Sequence, residues 1–119
     1  AVRTVEEPLY GWIVASKQPK LELVEGDVVY IDLGEVDHIR PGHIFHVLRR
    51  GAVVEYPVPD NHKKKKKKKK KKETEKIKLP DELIARLVVV RTQQKTSTAV
   101  IVQARLSVYV GDEVTTVTE

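Results

Sequence analysis

Closely spaced carboxylates are the side chains in this sequence that most resemble a catalytic group. Four of them lie near one another: Asp27, Asp32, Glu35 and Asp37. A hydrolase needs two carboxylates with separated pKa values in one cleft. Asp beside Gly is also ordinary turn composition, and the sequence has no Gly-x-Ser-x-Gly elbow and no phosphate-binding glycine loop. We therefore predict no catalytic residue and no enzymatic activity.

Histidines offer a second chemistry, metal ligation. His43 and His46 are three residues apart in a predicted strand, which directs their side chains to opposite faces. His38 lies in a nearby turn and could join His43 and a carboxylate, but this spacing matches none of the usual ligand patterns. The sequence has no cysteine that could supply a thiolate. We expect neither a metal site nor a cofactor.

Aromatic side chains could stack on sugars or bases if they were exposed in a row. Tyr30 shares a strand face with Asp32, so these two residues are candidates for binding. Tyr10 and Trp12 share a face only if their strand is regular, and Gly11 between them indicates a bulge or a close backbone approach. Because aromatic residues are highly buried on average, we expect the rings mainly in the core.

The strongest concentration of charge is a run of ten lysines. Its members, the remaining candidate binding residues, are Lys63, Lys64, Lys65, Lys66, Lys67, Lys68, Lys69, Lys70, Lys71 and Lys72. The chain has a net charge of +5, and ten fewer lysines would leave −5. The run could attach to a polyanion such as anionic lipid, an envelope phosphate polymer or nucleic acid, without shape specificity. The alternative is a tolerated hairpin-loop insertion, since loop closure costs rise slowly with length.

Strands must position these side chains, because Val, Ile, Thr and Leu dominate the chain on both sides of a polar segment at 60–78. The predicted strands cover 10–15, 27–33, 43–49, 53–56, 83–91, 98–106 and 108–117. Alternation places Val29, Ile31 and Leu33 on one face of the second strand, and makes Phe45 and Val47 the inward pair of the third. Helix is limited to one candidate turn at 80–84. Short strands without βαβ spacing predict an all-β fold, a small barrel (SH3-like or related) of about six strands. The segment 60–78 is predicted to be a long, disordered, Lys-rich loop.

The length of the chain and the residues at its start indicate how it is organised into domains. A chain of 119 residues suits one domain, which we place at 1–119, interrupted by the flexible loop at 60–78. Its apolar stretches, such as 87–90, are far shorter than the roughly 20 residues of a spanning helix. The sequence has no methionine and no signal peptide at its start, so we interpret it as a fragment of a longer chain.

One local arrangement recurs three times: a glycine, a polar residue, and then a strand. Because glycine can adopt positive φ, we interpret each copy as a tight corner that returns a strand to the barrel. The alternative is a nest of backbone N–H groups that faces a ligand. The residues expected in structural turns are Gly26, Asp27, Gly34, Pro41, Gly42, Gly111 and Asp112.

Most of the chain outside 60–78 resembles a known domain. The stretch Leu23-Val24-Glu25-Gly26-Asp27-Val28-Val29-Tyr30-Ile31-Asp32-Leu33-Gly34, followed by Arg40-Pro41-Gly42-His43, resembles the β domain C-terminal to LysM in bacterial LysM peptidoglycan-binding envelope proteins. It is also similar to the C-terminal domain of the flagellar ring assembly protein T. Leu79-Pro80-Asp81-Glu82-Leu83-Ile84 and Val110-Gly111-Asp112 extend the likeness. His43 stands where the family favours Asp, and Ala85 where Gly is frequent.

This resemblance implies a non-enzymatic, periplasmic or cell-envelope module accessory to peptidoglycan binding. It would dock or position a neighbouring LysM-type module or partner envelope proteins through exposed strand edges. Peptidoglycan would be bound through the parent protein, and no specific nucleic acid is expected. The chain itself lacks a LysM module, whose βααβ pattern needs two helices. The alternative function is direct binding of peptidoglycan or another polyanion by this domain, assisted by the Lys63–Lys72 loop.

Overall fold

Eight strands form the regular structure of the residues that the computed structural model describes, 7–58 and 74–117. They are β1 (Tyr10–Ser16), β2 (Val28–Ile31), β3 (Ile44–Arg49), β4 (Val53–Pro57), β5 (Thr74–Lys78), β6 (Glu82–Thr92), β7 (Ser97–Ala104) and β8 (Glu113–Thr116). A 3₁₀ turn at Glu35–Asp37 follows β2. The candidate helical turn at 80–84 is wrong: β6 already begins at Glu82, because its β-branched and aliphatic residues pair with β3 and β7.

Six of these strands close into an antiparallel barrel in the order β1-β2-β7-β6-β3-β8. The ring closes where β1 pairs with β8, with Tyr10 opposite Thr115 and Trp12 opposite Glu113. The predicted all-β fold with a six-stranded barrel is therefore confirmed. Since each barrel strand has a neighbour on both sides, docking through exposed strand edges is not available to the barrel itself.

The core fills the inside of this ring. Burial alternates along β2 and β3, so that Val29, Ile31, Phe45 and Val47 are fully buried, as the alternation of the sequence predicted. Burying one such side chain contributes about 1.5–3 kcal/mol. Apolar residues outside the strands complete the same cluster: Leu23, Leu33, Ile39 and Val108.

Bulges interrupt the ladder and place valines on the outside. The register shifts between Ile13 and Ala15 in β1, and at two points in the pairing of β6 with β7. The residues left over at these shifts are Val14, Val90 and Val102, each about half exposed. Bulges increase the local twist, which is how short strands curve into a closed ring.

Residues 50–81 form a separate compact unit between β3 and β6 in the sequence. Within it β4 and β5 pair as an antiparallel ribbon, from Val53 opposite Lys78 to Pro57 opposite Thr74. The predicted loop at 60–78 is therefore wrong over 74–78, because these residues pair with β4 through their backbone. Residues 60–73 of that expected loop, which include the lysine run, lie outside the described residues.

Each of the three glycine corners has a glycine at positive φ. The angles are 92° at Gly26, 95° at Gly42 and 102° at Gly111. Their N–H groups donate to backbone carbonyls of barrel residues, respectively Ile101 at 2.8 Å, Val89 at 2.8 Å and Ile13 at 2.7 Å. These three N–H groups are already hydrogen-bonded within the barrel, so they are not free to form the ligand-binding nest that was the alternative interpretation.

The residue after each glycine completes the corner by a reciprocal pair of hydrogen bonds. Its backbone N–H donates to the carbonyl three residues earlier, and its side chain accepts the N–H of that same residue. The side-chain bonds are Val24 N to Asp27 Oδ2 at 2.8 Å, Tyr109 N to Asp112 Oδ2 at 2.9 Å, and Arg40 N to His43 Nδ1 at 3.4 Å. His43 therefore occupies the place that a carboxylate takes in the other two corners.

Gly34 has a different reason to be glycine. Its N–H donates to Asp37 Oδ2 at 2.9 Å, while Asp37 N returns a bond to the Gly34 carbonyl at 2.9 Å. Its φ is −144°, which any residue can adopt. A Cβ here would lie 2.5 Å from Gln93 O and Thr96 N, so the constraint is the close approach of the β6–β7 turn.

We expect His43→Asp to stabilise the barrel, because a carboxylate would accept the Arg40 N–H at the shorter distance seen in the other two corners. One improved hydrogen bond is worth about 1 kcal/mol, measurable by urea unfolding followed through Trp12 fluorescence. His43→Ala, which removes the acceptor, is the control and should lower stability. A free energy of unfolding for His43→Asp at or below that of the parent would contradict the shared corner geometry.

The corner at Asp27 should make stability depend on pH. Its pKa lies below the ordinary 3.8, because the carboxylate accepts the Val24 N–H and then the Lys20 ammonium at 2.9 Å. With the folded pKa depressed, this stabilisation is present above pH 3.8 and is lost as pH falls through the folded value. Asp27→Asn should therefore flatten the acid decline of the unfolding free energy in that window. Equal acid slopes for the two proteins would count against this assignment.

Candidate functional site

Aromatic and aliphatic side chains stand outwards along β1. Tyr10, Trp12 and Val14, here named the β1 ridge, are exposed by 51%, 51% and 48%. Gly11 and Ile13 between them are buried. The expectation that the rings would lie mainly in the core is therefore wrong for Tyr10 and Trp12, because Gly11 and Ile13 occupy the inner face of their strand. Phe45 is the ring that fills the core.

Asp32 holds the middle of the β1 ridge. Its Oδ1 accepts the Trp12 backbone N–H at 2.8 Å, and its own N–H donates to the Trp12 carbonyl at 3.3 Å. A Cβ on Gly11 would lie 2.5 Å from the same Oδ1. Gly11 thus leaves room for the side chains of Asp32 and Leu33 rather than for another backbone, and the bulge of this strand is at Val14. Asp32, predicted to be a binding residue, positions the ridge.

Tyr30 lies apart from this arrangement. It shares the outer face of its strand with Asp32, as the alternation predicted, but is half-buried opposite Ala15 in β1 and Thr98 in β7. The sequence paired Tyr30 with Asp32 as binding candidates, whereas in the structure Asp32 is hydrogen-bonded to the backbone of Trp12. Sequence reasoning missed the ridge, although the order Tyr-Gly-Trp-Ile-Val, with glycine and isoleucine on one face, was a signal for it.

A row of polar residues runs from Tyr10 across the neighbouring strands of the barrel, and Thr115 within it is buried. Paired residues of five strands form it: Tyr10, Thr115, His46, Arg86 and Gln103. Partial burial, and then the charge of Arg86, lowers the pKa of His46 from its ordinary 6.5. Its imidazole is therefore neutral at neutral pH. The ridge is thus an apolar and aromatic strip that meets a row of polar residues at Tyr10.

The carboxylates that the sequence grouped together have separate structural roles. Asp27 and Asp37 cap turns, Glu35 Oε2 accepts the Thr92 hydroxyl at 3.2 Å, and Asp32 holds Trp12. No group of three His, Asp or Glu side chains that could hold a metal ion is found within 7–58 and 74–117. The candidate lysines 63–72 fall outside those ranges.

The fold and this surface define a closed six-stranded barrel with an outward aromatic ridge and an inserted two-stranded unit. Comparison of the chain with protein-family models, with curated proteins and with solved structures found no match. Among the described residues, no helix has the length and hydropathy needed to cross a membrane.

Removing the Asp32 carboxylate should loosen the ridge. Asp32→Ala leaves the Trp12 N–H without its acceptor, which should cost about 1 kcal/mol of stability and change the emission of Trp12, the only tryptophan in the sequence. Asp32→Asn keeps an acceptor oxygen and should stay close to the parent in urea unfolding. Equal losses for the two variants would show that the carboxylate charge matters and the hydrogen bond does not.

Proposed function

We propose that this chain is a non-enzymatic docking module of the bacterial cell envelope, accessory to peptidoglycan binding. Its β1 ridge would hold a neighbouring LysM-type module or a partner envelope protein. The observation that supports docking is the exposure of Trp12 and Tyr10 on one face of a strand that pairs with β8 at these residues and with β2 from Ile13 onward. The envelope setting rests on the resemblance of the turn and strand motifs.

Trp and Tyr dominate binding energy at protein interfaces, because they bury large areas and lose little conformational freedom. On β1 their backbone is fixed before binding by pairing with β8 and, at Trp12, by the hydrogen bonds with Asp32. Preorganisation of this kind lowers the entropic cost of association. Because the barrel is closed, the docking contact would be made by these side chains and not by an added strand.

A second candidate function is direct binding of peptidoglycan or another polyanion. The observation that favours it is the distribution of charge between the two units. Residues 50–81 contain thirteen Lys and Arg against five Asp and Glu, whereas the rest of the chain contains nine against twelve. Contacts of this kind weaken as salt is raised, whereas a docking contact through apolar rings is expected to tolerate salt.

Site-specific photo-cross-linking tests the docking function. A photoreactive phenylalanine analogue in place of Trp12 should give one discrete protein adduct in envelope preparations. The same analogue at Val102, a position of similar exposure on β7, should not. The adduct should disappear when an excess of the unlabelled chain competes, but persist with unlabelled Trp12→Ala. Absence of an adduct at position 12, or the same adducts at both positions, would contradict docking at the ridge.

Co-sedimentation with peptidoglycan sacculi separates the two functions. We expect no salt-resistant binding by the 119-residue chain, because the docking function assigns glycan contact to a neighbouring module. Binding that is lost at high salt and on deletion of Lys63–Lys72 would support the second candidate. Binding that survives both conditions but is lost in Trp12→Ala would overturn the docking function and make the ridge a glycan site.

A further inference from the structure

The ribbon formed by β4 and β5 has one apolar face. Directly opposed residues in an antiparallel pair point to the same side, so Val54, Ile77, Tyr56 and Glu75 share one face. Three of these side chains are apolar or aromatic and exposed: Val54 by 40%, Ile77 by 47% and Tyr56 by 40%. The Tyr56 hydroxyl donates to Glu75 Oε1 at 3.3 Å, which leaves the ring itself on the surface.

The other face of the ribbon is charged. Lys76 Nζ lies 3.8 Å from Glu55 Oε2, and Lys78 Nζ lies 2.7 Å from Asp81 Oδ1. All ten strand residues of the ribbon are exposed. A two-stranded ribbon is marginally stable in water unless its apolar face packs against something. The described residues therefore present an amphipathic surface whose apolar side is open.

The net charge of the unit indicates which kind of partner could cover the apolar face of the ribbon. The unit 50–81 has a net charge of +8, and ten of its lysines fall in the sequence that joins Pro57 to Thr74, the last pair of the ribbon. A second copy of the chain would bring two such charges together and is disfavoured. Nucleic acid would match the charge but offers phosphates to Val54 and Ile77. An anionic bilayer offers negative head groups together with an apolar interior, and Tyr is favoured at its interface.

We propose that the β4–β5 ribbon binds the surface of anionic lipid bilayers, with Val54, Tyr56 and Ile77 entering the interface between head groups and acyl chains. This site is independent of the β1 ridge. Lysines attract the unit to the surface, and the apolar face supplies the part of the binding that salt does not screen.

Vesicle flotation tests the proposal with the whole 119-residue chain. The chain should float with phosphatidylglycerol-containing vesicles and not with pure phosphatidylcholine. The double variant Val54→Ser/Ile77→Ser should bind at least about tenfold more weakly, because it removes two side chains from the interface. Val90→Ser/Val102→Ser changes two barrel valines of similar exposure, 52% and 46%, and should bind like the parent. Equal binding by the two double variants would overturn the proposal.

Insertion can be measured without disturbing the ribbon face as a whole. The sequence has no cysteine, so Ile77→Cys and Val102→Cys each give a single site for an environment-sensitive fluorophore. Emission from position 77 should shift to shorter wavelength on anionic vesicles and be quenched by brominated acyl chains, while position 102 stays unchanged. Flotation without this shift, or equally strong binding to DNA or polyphosphate, would reduce the contact to charge alone and overturn the proposal. Neither result bears on cross-linking at Trp12.

Discussion

The barrel depends on three corners in which a glycine and the residue after it satisfy backbone groups that a tight reversal would otherwise leave unpaired. Gly26, Gly42 and Gly111 take positive φ and donate their N–H groups to neighbouring barrel residues. The side chains of Asp27, His43 and Asp112 then accept the N–H three residues earlier. Unpaired buried backbone groups are costly, so this pairing lets strands β2, β3 and β8 begin immediately after a reversal. Because β1 lies between β2 and β8, the same corners fix the position of the β1 ridge.

Ring closure also explains how the chain carries a second unit. β3 and β6 pair directly, so the ring is complete whatever lies between Arg49 and Glu82 in the sequence. Loop closure costs grow slowly with length, and an insertion at this point leaves the barrel ladder intact. The chain thus keeps two surfaces of different chemistry on separate units. One is the aromatic β1 ridge, and the other is the amphipathic ribbon, in a unit whose sequence has a net charge of +8.

Much of the barrel was readable from the sequence because its signals are local. Alternation identified Val29, Ile31, Phe45 and Val47 as core residues, and glycine followed by a polar residue marked the corners. Strand β5 was not readable, since Thr-Glu-Lys-Ile-Lys has one apolar residue and its pairing with β4 is set by backbone contacts. The ridge was missed because the average burial of aromatic residues does not say which face of a strand is the inner one. Asp32 was recognised as important, but its partner, the backbone of Trp12, depends on ring closure and on the small size of Gly11.

Native-state hydrogen exchange followed by NMR tests most directly whether the corners and the six strands form one cooperative ring that excludes the ribbon. The amides of Gly26, Gly42 and Gly111 should exchange as slowly as those of core residues such as Val29 and Leu87, in the range set by global unfolding. Amides of β4 and β5 should exchange faster, without altered protection in β3 or β6. Rapid exchange at the three glycines, or ribbon amides that share the protection of the barrel, would contradict the account.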